Sequence, residues 1–193
     1  MTKGTRLAIA GCLLAMTAAC GNDGTAAAGG GGAADTGPVA GSPVIEITVD
    51  VTGDVTVKGS TTALAATNNG VDYTSCEQYA NGEDGSNGNK YFVLPKFLSG
   101  PISGKQVFVG AMVKGYHGPA GYRANQMTDA GSPPGVSFDG NLYFMGEDSG
   151  ASVTVDGNGG GHWDFTSLSV QNADGTRTNG KLAGSVTWTC KNP

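Results

Sequence analysis

The sequence predicts an all-β domain, an antiparallel β-sandwich or barrel-like body that follows a signal peptide and a flexible tether. Three observations carry this. Apolar residues alternate with polar ones over short runs spaced about a dozen residues apart, the period-two pattern of half-buried strands. Glycine supplies 34 of 193 residues, with Asn, Asp, Ser and Thr filling much of the rest, as many tight turns require. No stretch carries a convincing amphipathic helical period, so a parallel sheet with crossover helices is excluded.

In chain order, Lys3 and Arg6 give a positive start, Leu7 to Met16 an apolar run too short to span a bilayer, and Thr17-Ala18-Ala19 the small residues before a cleavage point. Residues 1–19 therefore read as a signal peptide and Cys20 as the lipidated first residue of the mature chain. A thiolate can be alkylated to a thioether, which neither Ser nor Ala could provide. An ordinary secretory signal cut near Ala19 is the alternative. Cys12 leaves only five apolar residues before a cut and is rejected on length. Residues 20–43, GNDGTAAAGGGGAADTGPVAGS at their centre, form a Gly/Ala-rich tether with a reach of roughly 25 Å. The run Gly29 to Gly32 is not a phosphate loop, since no strand precedes it and no Lys-Ser/Thr follows.

Residues 44–193 make one β-rich domain. Ile45, Ile47, Val49 and Val51 alternate with Glu46, Thr48, Asp50 and Thr52, and after a turn at Gly53-Asp54 Val55 and Val57 resume the pattern. Val71 to Cys76 alternates again, Asn81 to Asn89 is a polar loop, and Tyr91 to Pro95 is a short strand. The run Gln106 to Lys114 is the clearest central strand, apolar on both faces. Gly115 to Tyr122 is a Gly/Pro turn between two tyrosines. Asn141 to Met145 and Ala151 to Asp156 are further strands. From His162 the alternation slips by one residue after Phe165, which a bulge near Thr166-Ser167 absorbs. Leu182, Gly184, Val186, Trp188 and Cys190 share one face of the last strand, placing a disulfide beside Trp188.

Cysteine usage follows from position. Cys12 lies inside the signal and Cys20 is the residue that carries lipid, so Cys76 and Cys190 remain for the body and are expected to pair outside the cytoplasm. A zinc or redox pair lacks both CxxC and a Cys/His cluster. Removing Lys3 and Arg6 from the 11 basic residues leaves 9 against 16 acidic ones, a net charge near −7, which disfavours nucleic acid.

No GxSxG, SxxK or HExxH motif occurs, so no catalytic residues, cofactor or metal are assigned. His117 in its turn and His162 after the glycines read as solvated or capping side chains. Asp139, Glu147, Asp148, Asp156 and Asp164 read as acidic turn and surface residues rather than a glycosidase pair. The rival to a structural, antigen-like surface domain is an extracytoplasmic binding module for a lipid, sugar or cell-wall fragment. Its candidate ligand-binding residues are Tyr116, His117 and Tyr122, with Tyr143 and Phe144 as further ring surface, set against packing of these rings on the sheet.

The lipoprotein signal, Cys76 before a strand ending Leu94-Pro95, the turn Gly115-Tyr116-His117-Gly118-Pro119-Ala120-Gly121-Tyr122, the glycines before Trp163-Asp164-Phe165, and the ending Gly184-Ser185-Val186-Thr187-Trp188-Thr189-Cys190 resemble a group of small actinobacterial lipoproteins. The mycobacterial 19 kDa lipoprotein antigen family is of broadly similar build. The likeness covers most of Val44 to Cys190, and Ala120 stands where the group's pattern has Gly. The resemblance implies a surface-exposed, antigenic, β-rich domain on the extracytoplasmic face of the cell membrane, paired through Cys76 and Cys190, with no settled activity and no active-site residues to carry over.

Overall fold

The computed structural model describes residues 41–65, 67, 72–96, 98–130, 132–170, 178 and 181–193. The expected signal peptide, Cys20 and all but the last residues of the tether lie outside the described residues. Among the described residues the strands are β1 (Val44–Thr52), β2 (Val57–Leu64), β3 (Glu83–Asp84), β4 (Lys90–Val93), β5 (Val107–Gly110), β6 (Met112–Lys114), β7 (Ala120–Arg123), β8 (Met127–Thr128), β9 (Gly135–Phe138), β10 (Asn141–Phe144), β11 (Gly150–Val155), β12 (Gly161–Val170) and β13 (Leu182–Lys191), with one short α-helix, α1 (Cys76–Ala80), and a 3-10 turn at Ala124–Gln126. All strand pairings are antiparallel. The result is a curled, half-barrel sheet with a second, smaller sheet, in agreement with the all-β expectation.

The spine of the large sheet is where the sequence pattern is cleanest. Ile45, Ile47, Val49 and Val51 of β1 are all fully buried while Glu46 and Thr48 face solvent. The strand pairs with β2 on one side, Val51 opposite Val57, and with β13 on the other, Val49 opposite Val186. The turn at Gly53 is as expected, although β2 begins at Val57 rather than Val55. Gly53 sits at φ +123°, and a Cβ there would lie 1.9 Å from the Lys181 carbonyl oxygen. Glycine is therefore required for both conformation and space.

The sheet forks at β12. Gly161 to Phe165 lie between β13 and β11, and β11 in turn carries β7. Beyond the register shift between Phe165 and Leu168, Ser169 and Val170 leave β11 and pair with β10, which continues through β9 to β5. Ser167 takes φ +56° in this irregularity, so the bulge expected near Thr166-Ser167 is the branch point of the sheet.

The smaller sheet runs β3-β4-β6-β8. It corrects one expectation: Gln106 to Lys114 is not one continuous central strand. The chain changes sheets at Ala111, with β5 hydrogen-bonded to β9 and β6 to β4 and β8. The Ala111 carbonyl accepts from the Leu94 N–H at 3.1 Å, and Val109, Ala111 and Val113 are all fully buried. Apolarity on both faces thus marks a corner where a strand passes from one sheet to the other, whereas Phe108 turns outward.

Two further expectations are corrected. The alternation before Cys76 does not make a strand over residues 72–76; Val71 lies outside the described residues. Ser75 is instead the N-cap of α1, its hydroxyl accepting from the Gln78 N–H at 3.1 Å. The polar loop from Asn81 contains β3, whose Glu83 is buried and pairs with Tyr91.

The core lies inside the curl. Trp163, Trp188, Tyr79, Tyr122, Phe92 and Phe165 are the largest side chains that are fully buried. Phe92 joins the layers, its ring 4.8 Å from Tyr79, 5.2 Å from Tyr116 and 6.2 Å from Trp188. The expected disulfide between Cys76 and Cys190 is present and ties α1 to β13. Cys76 is buried and Cys190 half-buried, packed against the cluster that contains Trp188.

Candidate functional site

The turn from Gly115 to Tyr122 brings Tyr116, His117 and Tyr122 together, and the rings of Tyr116 and Tyr122 stand 5.5 Å apart. The turn is held by Tyr122, on β7. Its hydroxyl donates to the Gly118 carbonyl and accepts from the His117 N–H at 3.2 Å. A tyrosine at a strand start whose hydroxyl bonds to backbone a few residues upstream is the tyrosine-corner device of β-sandwiches. Pro119 fixes the chain between the bonded residues. The sequence showed the two tyrosines, and the four-residue spacing from Gly118 to Tyr122 was the readable signal for the corner.

Tyr116 faces inward. It is only 3 % exposed, and its hydroxyl donates to the Ala80 carbonyl at 2.6 Å. Burial, with Tyr122 and Asp156 nearby, pushes its pKa up to about 12. His117 is exposed, its ring 5.1 Å from that of Tyr122. Of the three residues, then, two rings lie in the core with their hydroxyls bonded to backbone, and one imidazole reaches solvent. Tyr143 also packs inward, edge-on to Phe138 at 6.1 Å, while Phe144 is half-buried.

Exposed apolar area lies elsewhere. Phe108 on β5 and Leu142 on β10 both stand opposite Ser137 on β9, forming one cross-strand row. They are among the large apolar residues most open to solvent, at 39 % and 43 %.

The acidic residues have separate tasks. The Asp139 carboxylate accepts from the Gln106 N–H at 2.9 Å and from Lys105 Nζ at 3.1 Å; the backbone bond first and Lys105 second hold its pKa below the usual carboxylate value. Asp156 Oδ1 accepts from the N–H groups of Asn158 and Gly160, both at 2.8 Å, closing the turn between β11 and β12. Glu147 and Asp148 are exposed in the turn before β11. No group of three His, Cys, Asp or Glu side chains among the described residues is placed to hold a metal ion.

One polar cluster escaped the sequence reading. On the outer face of the large sheet, His162 of β12 stands opposite Thr187 of β13. Its Nδ1 is 2.7 Å from Thr187 Oγ1 and its Nε2 is 2.8 Å from Asp164 Oδ1. Asp164 shares the face because it lies two residues along the strand. The His-x-Asp spacing was visible in the sequence, but the threonine 25 residues away becomes its neighbour only through the β12–β13 register. Cys20 lies outside the described residues. No helix among the described residues is long and apolar enough to cross a membrane. Comparison of the chain with protein-family models, with curated proteins and with solved structures finds no match.

Proposed function

We propose that the chain is a cell-envelope lipoprotein: a β domain held at the extracytoplasmic face of the membrane by lipid on Cys20, acting as a structural, antigen-like surface protein. The observation that carries this reading is the stretch from Leu7 to Cys20, a short apolar run that ends in small residues and a cysteine. The paired Cys76 and Cys190 support it, because such bonds persist in oxidising compartments. The inward-packed Tyr116 and Tyr122, whose hydroxyls are taken by backbone, favour a structural domain over a ligand groove at that turn. Two or three acyl chains on one cysteine would anchor the domain durably, at about 0.8 kcal/mol per buried CH₂.

The test is a Cys20→Ala chain expressed in an actinobacterial host. The proposal expects it to leave the membrane fraction and to lose the acylated N-terminal peptide; continued partition with an acylated peptide would overturn it. A binding module for a lipid, sugar or cell-wall fragment is the second reading, and the row of Phe108 and Leu142 is the observation in its favour. Mass spectrometry of small molecules that copurify with the mature protein separates the two. A stoichiometric ligand supports the binding module.

A further inference from the structure

We propose that Thr187 is a reactive hydroxyl that accepts an acyl group from activated carboxylic esters, with His162 as its general base and Asp164 as the residue that positions the imidazole. An ionised carboxylate only accepts, so the short Nε2 contact to Asp164 places the ring proton on Nε2. In the neutral imidazole Nδ1 is then an acceptor, and Thr187 Oγ1 at 2.7 Å must be its donor. The result is a hydroxyl bonded to a base whose tautomer is set by a carboxylate, the arrangement that activates hydroxyl nucleophiles. All three side chains lie on the open face of the sheet, with the imidazole 38 % exposed. A bulky ester can therefore approach Thr187 without a pocket.

The step balances without a further reactant. Thr187 Oγ1 bonds to the ester carbonyl carbon while its proton passes to His162 Nδ1. Collapse of the tetrahedral adduct breaks the bond to the alcohol oxygen, which takes the proton from Nδ1. Thr187 is left as an O-acyl ester and the alcohol departs. The site supplies base and orienter, but not the rest of a hydrolase. Strand β13 lies between β1 and β12, so its amides are spent in the ladder and among the described residues no pair of backbone donors is left at Thr187 to hold an oxyanion. The chemistry fits one acylation per chain with activated esters.

The experiment exposes the folded full-length chain, in detergent, to 4-nitrophenyl acetate and maps acetylation after reduction and tryptic digestion. The peptide Leu182 to Lys191 contains Ser185 and Thr189 as internal references on the same strand. The proposal expects acetyl on Thr187 at least about 10-fold faster than on either reference, and a loss of about 100-fold in His162→Gln, within the usual range for removing a general base. Asp164→Asn should slow the reaction about 10-fold and Asp164→Glu should restore it, while thermal midpoints stay within error of the parent. Thr187→Ser, which keeps the hydroxyl, should remain reactive. Labelling of Thr187 no faster than Ser185 or Thr189, absence of acetyl on Thr187, or undiminished labelling in His162→Gln would each overturn the proposal.

Discussion

Cys76 and Cys190 are 114 residues apart in the chain and 5.7 Å apart at their Cα atoms. The bond fastens the start of α1 to the end of β13, and Asn192 Oδ1 reinforces the same junction by accepting from the Cys76 N–H at 2.7 Å. Closing so long a loop removes conformational entropy from the unfolded chain worth at most about 4 to 5 kcal/mol. The double variant Cys76→Ala/Cys190→Ala should therefore lose about 2 to 5 kcal/mol in urea denaturation. A loss under about 1 kcal/mol would show that packing and the Asn192 hydrogen bond hold the helix to the strand without the disulfide.

Tyr122→Phe isolates the corner. The ring stays in the core, but the hydroxyl that joins the Gly118 carbonyl to the His117 N–H is lost. The expected cost is about 1 to 3 kcal/mol, because a partly buried carbonyl loses its donor. Chemical denaturation of the variant and the parent measures it, and a change within about 0.3 kcal/mol would mean that the turn is fixed by Pro119 and its glycines instead.

Two glycine substitutions should behave oppositely. A Cβ at Gly161 would lie 2.3 Å from the Thr154 carbonyl oxygen, backbone of the neighbouring strand β11, and 2.4 Å from Cζ2 of the buried Trp188 ring. Gly161→Ala is expected to destabilise by about 2 to 3 kcal/mol, or to prevent folding. A Cβ at Gly121 on β7 meets nothing within 4 Å, so Gly121→Ala should be neutral or stabilise by up to about 1 kcal/mol. Thermal melts of the pair test the close packing of Trp188 on β12.

Stability should fall in alkali. Burial raises the Tyr79 pKa well above the ordinary phenol value and that of Tyr116 to about 12. Between about pH 10 and 12 the unfolded chain loses phenolic protons that the folded chain keeps. The unfolded state then binds fewer protons, so the contribution is fully present below pH 10 and is lost as pH rises through the folded values. Phenolate absorbance and circular dichroism followed together should show these tyrosines ionising with unfolding. Titration of all six tyrosines near pH 10 in a still-folded chain would contradict the buried placement.

Where one face of a strand is buried and the other wet, the sequence was readable. Ile45 to Val51 show this, as does the slip after Phe165 that became the branch of the sheet. It was not readable where both faces are buried or the chain changes sheets. Gly135 to Phe138 are buried at every position, so β9 has no alternation to find, and the corner at Ala111 is apolar on either side. Strand β7 hides in a Gly/Pro-rich turn because its pairing with β11 is tertiary. Of the site residues, the disulfide followed from counting cysteines. The contact between His162 and Thr187 depends on strand register, which single-strand patterns do not contain.

Lipid on Cys20 is read from the mass of the N-terminal peptide of the mature chain taken from its own membrane. The expected chain begins at Cys20 and carries diacylglycerol as a thioether on that residue. A mature chain with an unmodified Cys20 thiol, or one that begins beyond Cys20, would contradict it.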